Sequence, residues 1–151
     1  KALTAFALTA ILGAVLYHFS ILQLGIVLPL YIVEHLLFAW ALGMIALGLI
    51  FKYGTDVQSL AWSIVFLFQP FGAFFYPISV LPVQVRWIAY LFPPAYINEA
   101  ARFHLTSGTI DWGYLGIALM LNILYCVLGY VFIIKMFRSS IESGRFVRME
   151  A

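Results

Sequence analysis

Charge is what this sequence has least of. Only 9% of its 151 residues are Asp, Glu, Lys or Arg, where a soluble domain carries roughly a quarter. It has a single cysteine, Cys126, inside an apolar run. No intrachain disulfide can form, and a secreted disulfide scaffold is excluded. There is no Gly-rich loop ending in Lys-Ser or Lys-Thr, no His-Glu-x-x-His and no cysteine cluster, so the common phosphate and zinc patterns are missing. His18, His35 and His104 stand on separate segments. No metal ligand set and no catalytic group is read here, and with a net charge of +2 no basic patch marks a nucleic-acid binder.

What the chain does have is apolar bulk: 65% hydrophobic and 18% aromatic residues, more than a water-soluble fold of this size can hide. Charge-free runs extend from Ala2 to Val33, Val57 to Val85 and Trp112 to Ile134. Each is long enough for a helix of about 20 residues to cross a hydrocarbon core. Apolar segments recur to the end, unlike a signal peptide ahead of a soluble chain. The sequence opens at Lys1 without methionine and enters an apolar segment at once, which reads as the C-terminal part of a longer protein.

The pattern predicts an all-α, polytopic membrane helix bundle, a single transmembrane domain over 1–151 with four transmembrane helices at about 2–16, 25–51, 57–76 and 112–137. Tyr17 and His18 are placed at an interface, and Ser20, Gln23 and Gly25 mark a turn. Pro29 marks a kink or the first turn of the second helix. Pro77, Pro82, Pro93 and Pro94 rule out a continuous helix after Tyr76. An apolar, proline-broken stretch at membrane depth is tolerated only where protein or a wet cavity covers its backbone. Residues 77–105 are therefore read as an extracytoplasmic re-entrant hairpin of short helices at about 83–91 and 95–105. Lys1, Lys52, Lys135, Arg138, Arg145 and Arg148 share one side, against Arg86 and Arg102 on the other. That imbalance puts the C-terminus in the cytoplasm.

Glu34 and His35 are the titratable side chains within the second helix. Intramembrane ionisable groups face a bundle interior or a wet cavity, which makes both pathway candidates. The alternatives are a protonated Glu34 bonded to a neighbouring helix, with His35 as its neutral partner, or a helix that starts later and leaves both near the interface. Phe71, Phe75 and Tyr76 belong to an aromatic-rich stretch suited to lining a path or gate. Trp87, Tyr90, Phe92 and Tyr96 read as an outer aromatic belt. Glu99 and Arg102, three apart on one helical face, can pair and lock the hairpin or contribute to gating. Gln69 and Asn122 read as interhelical glue, and Thr9/Gly13 and Ala39/Gly43 as close helix contacts.

The segment Phe71-Gly72-Ala73-Phe74-Phe75-Tyr76-Pro77-Ile78-Ser79-Val80-Leu81-Pro82, followed by Leu91-Phe92-Pro93-Pro94-Ala95-Tyr96-Ile97-Asn98-Glu99-Ala100-Ala101-Arg102, resembles the signature of ABC-2-type transporter permeases. The likeness covers the last four segments of the usual six and extends to the basic tail 144–150. It implies a permease subunit of an ATP-driven exporter in the cell membrane, moving a drug-like, lipid-linked or glycan substrate by alternating access. The implied partners are a second permease subunit, identical or not, ATP-binding subunits that carry the ATP and magnesium, and membrane lipid. Pro77, Ser79, Pro82, Pro93, Pro94 and Tyr96 would shape the hairpin together with Glu99 and Arg102. Lys52, Tyr53 and Asp56 would form a loop coupled to the ATPase. Two other classes stand beside this one: a membrane-embedded enzyme using Glu34 and His35 as an acid-base pair, and a non-transporting assembly subunit.

Overall fold

The computed structural model describes residues 2–17, 21–54, 57, 59, 63, 66 and 69–142. Among these no strand occurs, as the composition predicts. Helix α1 spans Ala2–Tyr17, close to the expected 2–16. A 3-10 turn at Ile21–Val27 follows, broken at Gly25, where φ is +55 and ψ −140. A residue with a Cβ reaches that region only under strain, so helix α2 begins at Leu28 and runs to Tyr53 rather than starting at 25. Pro29 lies in its first turn, where a missing N–H costs no helical bond. Gly54, at φ +86, ends the helix by donating its N–H to Ile50 O at 2.8 Å.

The third helix expected over 57–76 needs correction. Residues 59, 63 and 66 are helical, but 69–76 form turns and bends. Pro70 is the physical cause: its ring disfavours the α conformation at Gln69, whose N–H donates to Phe66 O at 3.3 Å in a 3-10-type closure. Beyond it lie helix α3, Val83–Ala89, and helix α4, Pro93–Ser107. Pro93 and Pro94 occupy the first positions of α4 instead of preceding it, because their fixed φ suits a helix start. Helix α5 runs from Trp112 to Glu142, past the expected 137. Asp111 caps it, its Oδ1 accepting the N–H of Tyr114 at 3.0 Å.

Helices α2 and α5 pack side by side and run in the same direction. Asn122 meets Glu34, Cys126 meets Leu37, and the Phe137 ring lies 5.5 Å from Phe51, so partner numbers rise together. On α2 the buried positions are Tyr31, Glu34, Phe38, Ala41 and Gly48, a seam at steps of three, four and seven residues. The close approach falls at Gly48 and Gly129 and not at the expected Ala39/Gly43 pair. A Cβ on Gly129 would lie 2.9 Å from the Ala41 carbonyl oxygen, whereas one on Gly43 would touch nothing within 4 Å. Ser20, His18 and Asp56 lie outside the described residues.

Because α2 and α5 are parallel, the chain between them must return from the C-terminal end of one to the N-terminal end of the other. Helix α4 completes that return, antiparallel to α2. Near its start, Phe92 packs edge-on to Phe38. Further along, the Ala100 carbonyl accepts the Tyr31 hydroxyl at 3.4 Å. Ile97 and Ala100 close a core with Leu24, Val27, Tyr31, Leu115 and Ala118.

The seam makes a prediction. Gly129→Ala must push α2 and α5 apart at a backbone oxygen and should cost about 1–3 kcal/mol, lowering the melting temperature in detergent. Gly43→Ala, with nothing within 4 Å, should be neutral or slightly stabilising.

Candidate functional site

The proline-broken segment 70–82 is held by side chains of two helices, three of them on α4. Asn98 Nδ2 donates to Gly72 O at 2.8 Å, Arg102 Nη2 donates to Ala73 O at 2.6 Å, and Glu99 Oε1 accepts the Ile78 N–H at 2.6 Å. These three residues lie within two helical turns of α4. Arg102 also pairs with Glu99 across 3.5 Å, the i,i+3 contact expected of them. Ala73 is buried in the left-handed region, at φ +54, a conformation that persists only where surroundings over-determine it. The Arg102 guanidinium on its carbonyl is one such restraint. A second guanidinium, Arg86 Nη2, gathers Ser79 O at 2.8 Å and Leu81 O at 3.0 Å.

The other expected hairpin residues have structural places. Pro77 precedes the 3-10 turn Ile78–Val80. Pro82 starts α3, its carbonyl accepting the N–H groups of Val85 and Arg86. Pro93 and Pro94 are buried. The Tyr96 ring sits 5.9 Å from both Tyr90 and Tyr114. Phe92, expected in the outer aromatic belt, is buried instead, between Phe38 and Phe71.

Between α2, α4 and the 69–74 turn lies a cavity of about 610 Å³. Its walls are mostly apolar, including Leu28, Leu36, Phe74, Pro94 and Ile97, and the polar side chains that reach it are Tyr31, His35, Gln69 and Asn98. His35 Nδ1 lies 2.8 Å from Tyr31 O. A carbonyl only accepts, so Nδ1 carries the proton and Nε2 is the open ring nitrogen. The imidazole packs against Phe74 at 5.9 Å.

Glu34 does not line this cavity. It is 3% exposed and faces α5, where Asn122 Nδ2 donates to its backbone carbonyl at 3.0 Å. Its Oε2 and Asn122 Oδ1 are buried without a hydrogen-bond partner among the described residues. The structure therefore separates the two adjacent titratable residues, one into a helix seam and one into a cavity. Asn122 joins two helices as expected, while Gln69 opens to the cavity. Phe71 packs on Phe92, Phe75 is 75% exposed, and the Tyr76 hydroxyl donates to Pro70 O. None of these three lines the cavity; their neighbours Gly72 and Phe74 do. Lys52 and Tyr53 end α2, with the ammonium 5.4 Å from the phenol ring, far from the cavity. No group of acidic, cysteine and histidine side chains able to hold a metal occurs among the described residues.

Comparison with protein-family models, with curated proteins and with solved structures finds no match. The α4 clamp yields its own test. Glu99→Ala would leave the Ile78 N–H unpaired and should cost about 1–3 kcal/mol, with faster proteolysis within 72–82. Glu99→Gln keeps an acceptor oxygen and should recover most of the loss. A Glu99→Ala protein as protease-resistant as the parent would refute the clamp.

Proposed function

We propose that this chain is the C-terminal part of a permease subunit of an ATP-driven ABC-2-type exporter, embedded in the cell membrane with its C-terminus in the cytoplasm. Residues 23–53 and 112–142 are each long and apolar enough to cross a bilayer, and only 17% of the most apolar window of either is buried. A core helix of a soluble protein would be mostly covered. Lipid is the natural solvent for such faces.

One observation carries the reading. The turn joining α3 to α4 lies halfway along both long helices: the Leu91 carbonyl accepts the Tyr125 hydroxyl at 3.2 Å, and Phe92 packs on Phe38. If α2 and α5 cross the bilayer, this turn lies near its midplane while both its ends point back toward the outer surface. This placement supports the re-entrant reading of the hairpin. The parallel sense of α2 and α5 also supports a further crossing between the two, since an intervening passage is needed to bring the chain back. With α1 this makes four crossings.

In this reading the hairpin, clamped by Glu99 and Arg102, lids the outer end of a path formed with a second permease subunit. The end of α2, with Lys52, Tyr53 and Asp56, takes up the motion of ATP-binding subunits that hold ATP and magnesium. This chain contributes no catalytic group. Glu34 belongs to the packing of α2 on α5 and His35 to the cavity.

Two measurements test the proposal. With Cys126 replaced by Ser, single cysteines at Val80 and Thr109 should react with a membrane-impermeant maleimide from outside intact cells, and one at Gly54 only after lysis. Reaction at Val80 from the cytoplasmic side alone would sink the topology. In proteoliposomes, the complete protein with its ATPase should hydrolyse ATP faster in the presence of a transported substrate. A rate unmoved across drugs, lipids and glycans, with no vesicle uptake, counts against an exporter.

A further inference from the structure

The cavity beside α2 has a chemistry of its own. It follows α2 from Leu28 to Leu42, about 21 Å at the helical rise, so its 610 Å³ form a slot rather than a chamber. No Asp, Glu, Lys or Arg lines it. A carboxylate or ammonium entering it would lose its hydration without meeting an opposite charge, a transfer that strongly disfavours ionised ligands. Apolar molecules enter without that penalty.

Four polar side chains reach the slot, Tyr31 and His35 from α2, Asn98 from α4 and Gln69 from the 69–74 turn, and the Tyr31 hydroxyl is committed to Ala100 O. Here Asn98 Nδ2 is committed to Gly72 O and His35 Nδ1–H to Tyr31 O. His35 Nε2 has no hydrogen-bond partner among the described residues. In the neutral imidazole it is an acceptor held in a fixed direction. Such a site selects for a donor, because a ligand without one would bury the nitrogen unpaired.

We propose that this slot is a binding site for an uncharged, mostly apolar alcohol, whose hydroxyl donates to His35 Nε2 while its chain lies along the wall formed by Leu28, Leu36 and Ile97. Roughly 10 Å separates His35 from either end of the slot, the reach of a chain of about eight carbons. The inference needs α2 to be accessible from lipid and does not require transport.

A diazirine-bearing octanol tests it on the full chain in lipid nanodiscs, with labelled residues located by mass spectrometry. Labelling should concentrate on 28–39 and 94–101, and excess octanol should suppress it. At equal membrane concentration, octyl methyl ether, which cannot donate, should compete about tenfold less well, and octanoate should not compete measurably. His35→Phe should reduce labelling of the slot about tenfold and leave labelling of the exposed α5 face, at Met120 and Ile123, unchanged. If that variant misfolds, the alcohol against the ether on the unaltered chain decides the matter. Equal competition by ether and alcohol, competition by octanoate, or labels spread evenly over α5 would each overturn the site. ATP turnover enters none of these readings, so their failure leaves the permease proposal standing.

Discussion

Backbone groups that a broken helix leaves without partners dictate much of this molecule. Prolines at 70, 77, 82, 93 and 94 interrupt the helical ladder between residues 69 and 93, and a peptide group left unpaired away from water is expensive. Helix α4 answers with Asn98, Glu99 and Arg102, which supply two donors and one acceptor to Gly72, Ala73 and Ile78. Arg86 gathers Ser79 and Leu81. Charged side chains in the middle of the chain, Arg86, Glu99 and Arg102, are thus spent largely on backbone. The Glu99–Arg102 pair is one edge of this network.

Fixing the 70–82 segment on α4 has two consequences. It lets the α3–α4 turn reach the mid-length of α2 and α5, where Phe38, Phe92 and Tyr125 form a ring-packed floor. It also holds Gly72 and Phe74 across from α2, which closes one wall of the cavity onto His35. The clamp and the cavity therefore share parts: Asn98 holds the turn with its amide nitrogen and borders the cavity as well. The lid and the binding slot proposed above are compatible uses of one arrangement, because both need an irregular segment kept rigid beside long, apolar helices.

The seam between α2 and α5 imposes a different demand. Gly48 and Gly129 let the backbones approach, and near its upper end Glu34 and Asn122 are buried in it. Polar groups inside a helix pair set register more than they stabilise. Here Asn122 reaches the Glu34 carbonyl and so aligns the two helices, and that alignment sets the level at which Tyr125 meets Leu91.

Much of this was legible in the residues themselves. Apolar runs free of charge dictate long helices, prolines dictate a break after the third, and three-residue spacing dictates that Glu99 meets Arg102. Pro70 carried the signal for the earlier end of the third helix, since a proline disfavours the α conformation before it. Three things had no local signature. With nearly every position of α2 apolar, periodicity could not separate the face bearing Ala41 and Gly48 from the face bearing Ala39 and Gly43. Adjacent residues on a helix point about 100° apart, so Glu34 and His35 could not both share one surroundings, and only the placement of α4 and α5 assigns the seam to one and the cavity to the other. Between Phe74 and Phe75, a left-handed Ala73 held by a helix 29 residues downstream decides which ring turns inward. The sequence by itself determined the helices and where they must break, because those follow from hydrophobicity and from proline's missing N–H. The tertiary structure alone decided which side chains share a site, because that depends on contacts between segments whose separation along the chain carries no geometric information.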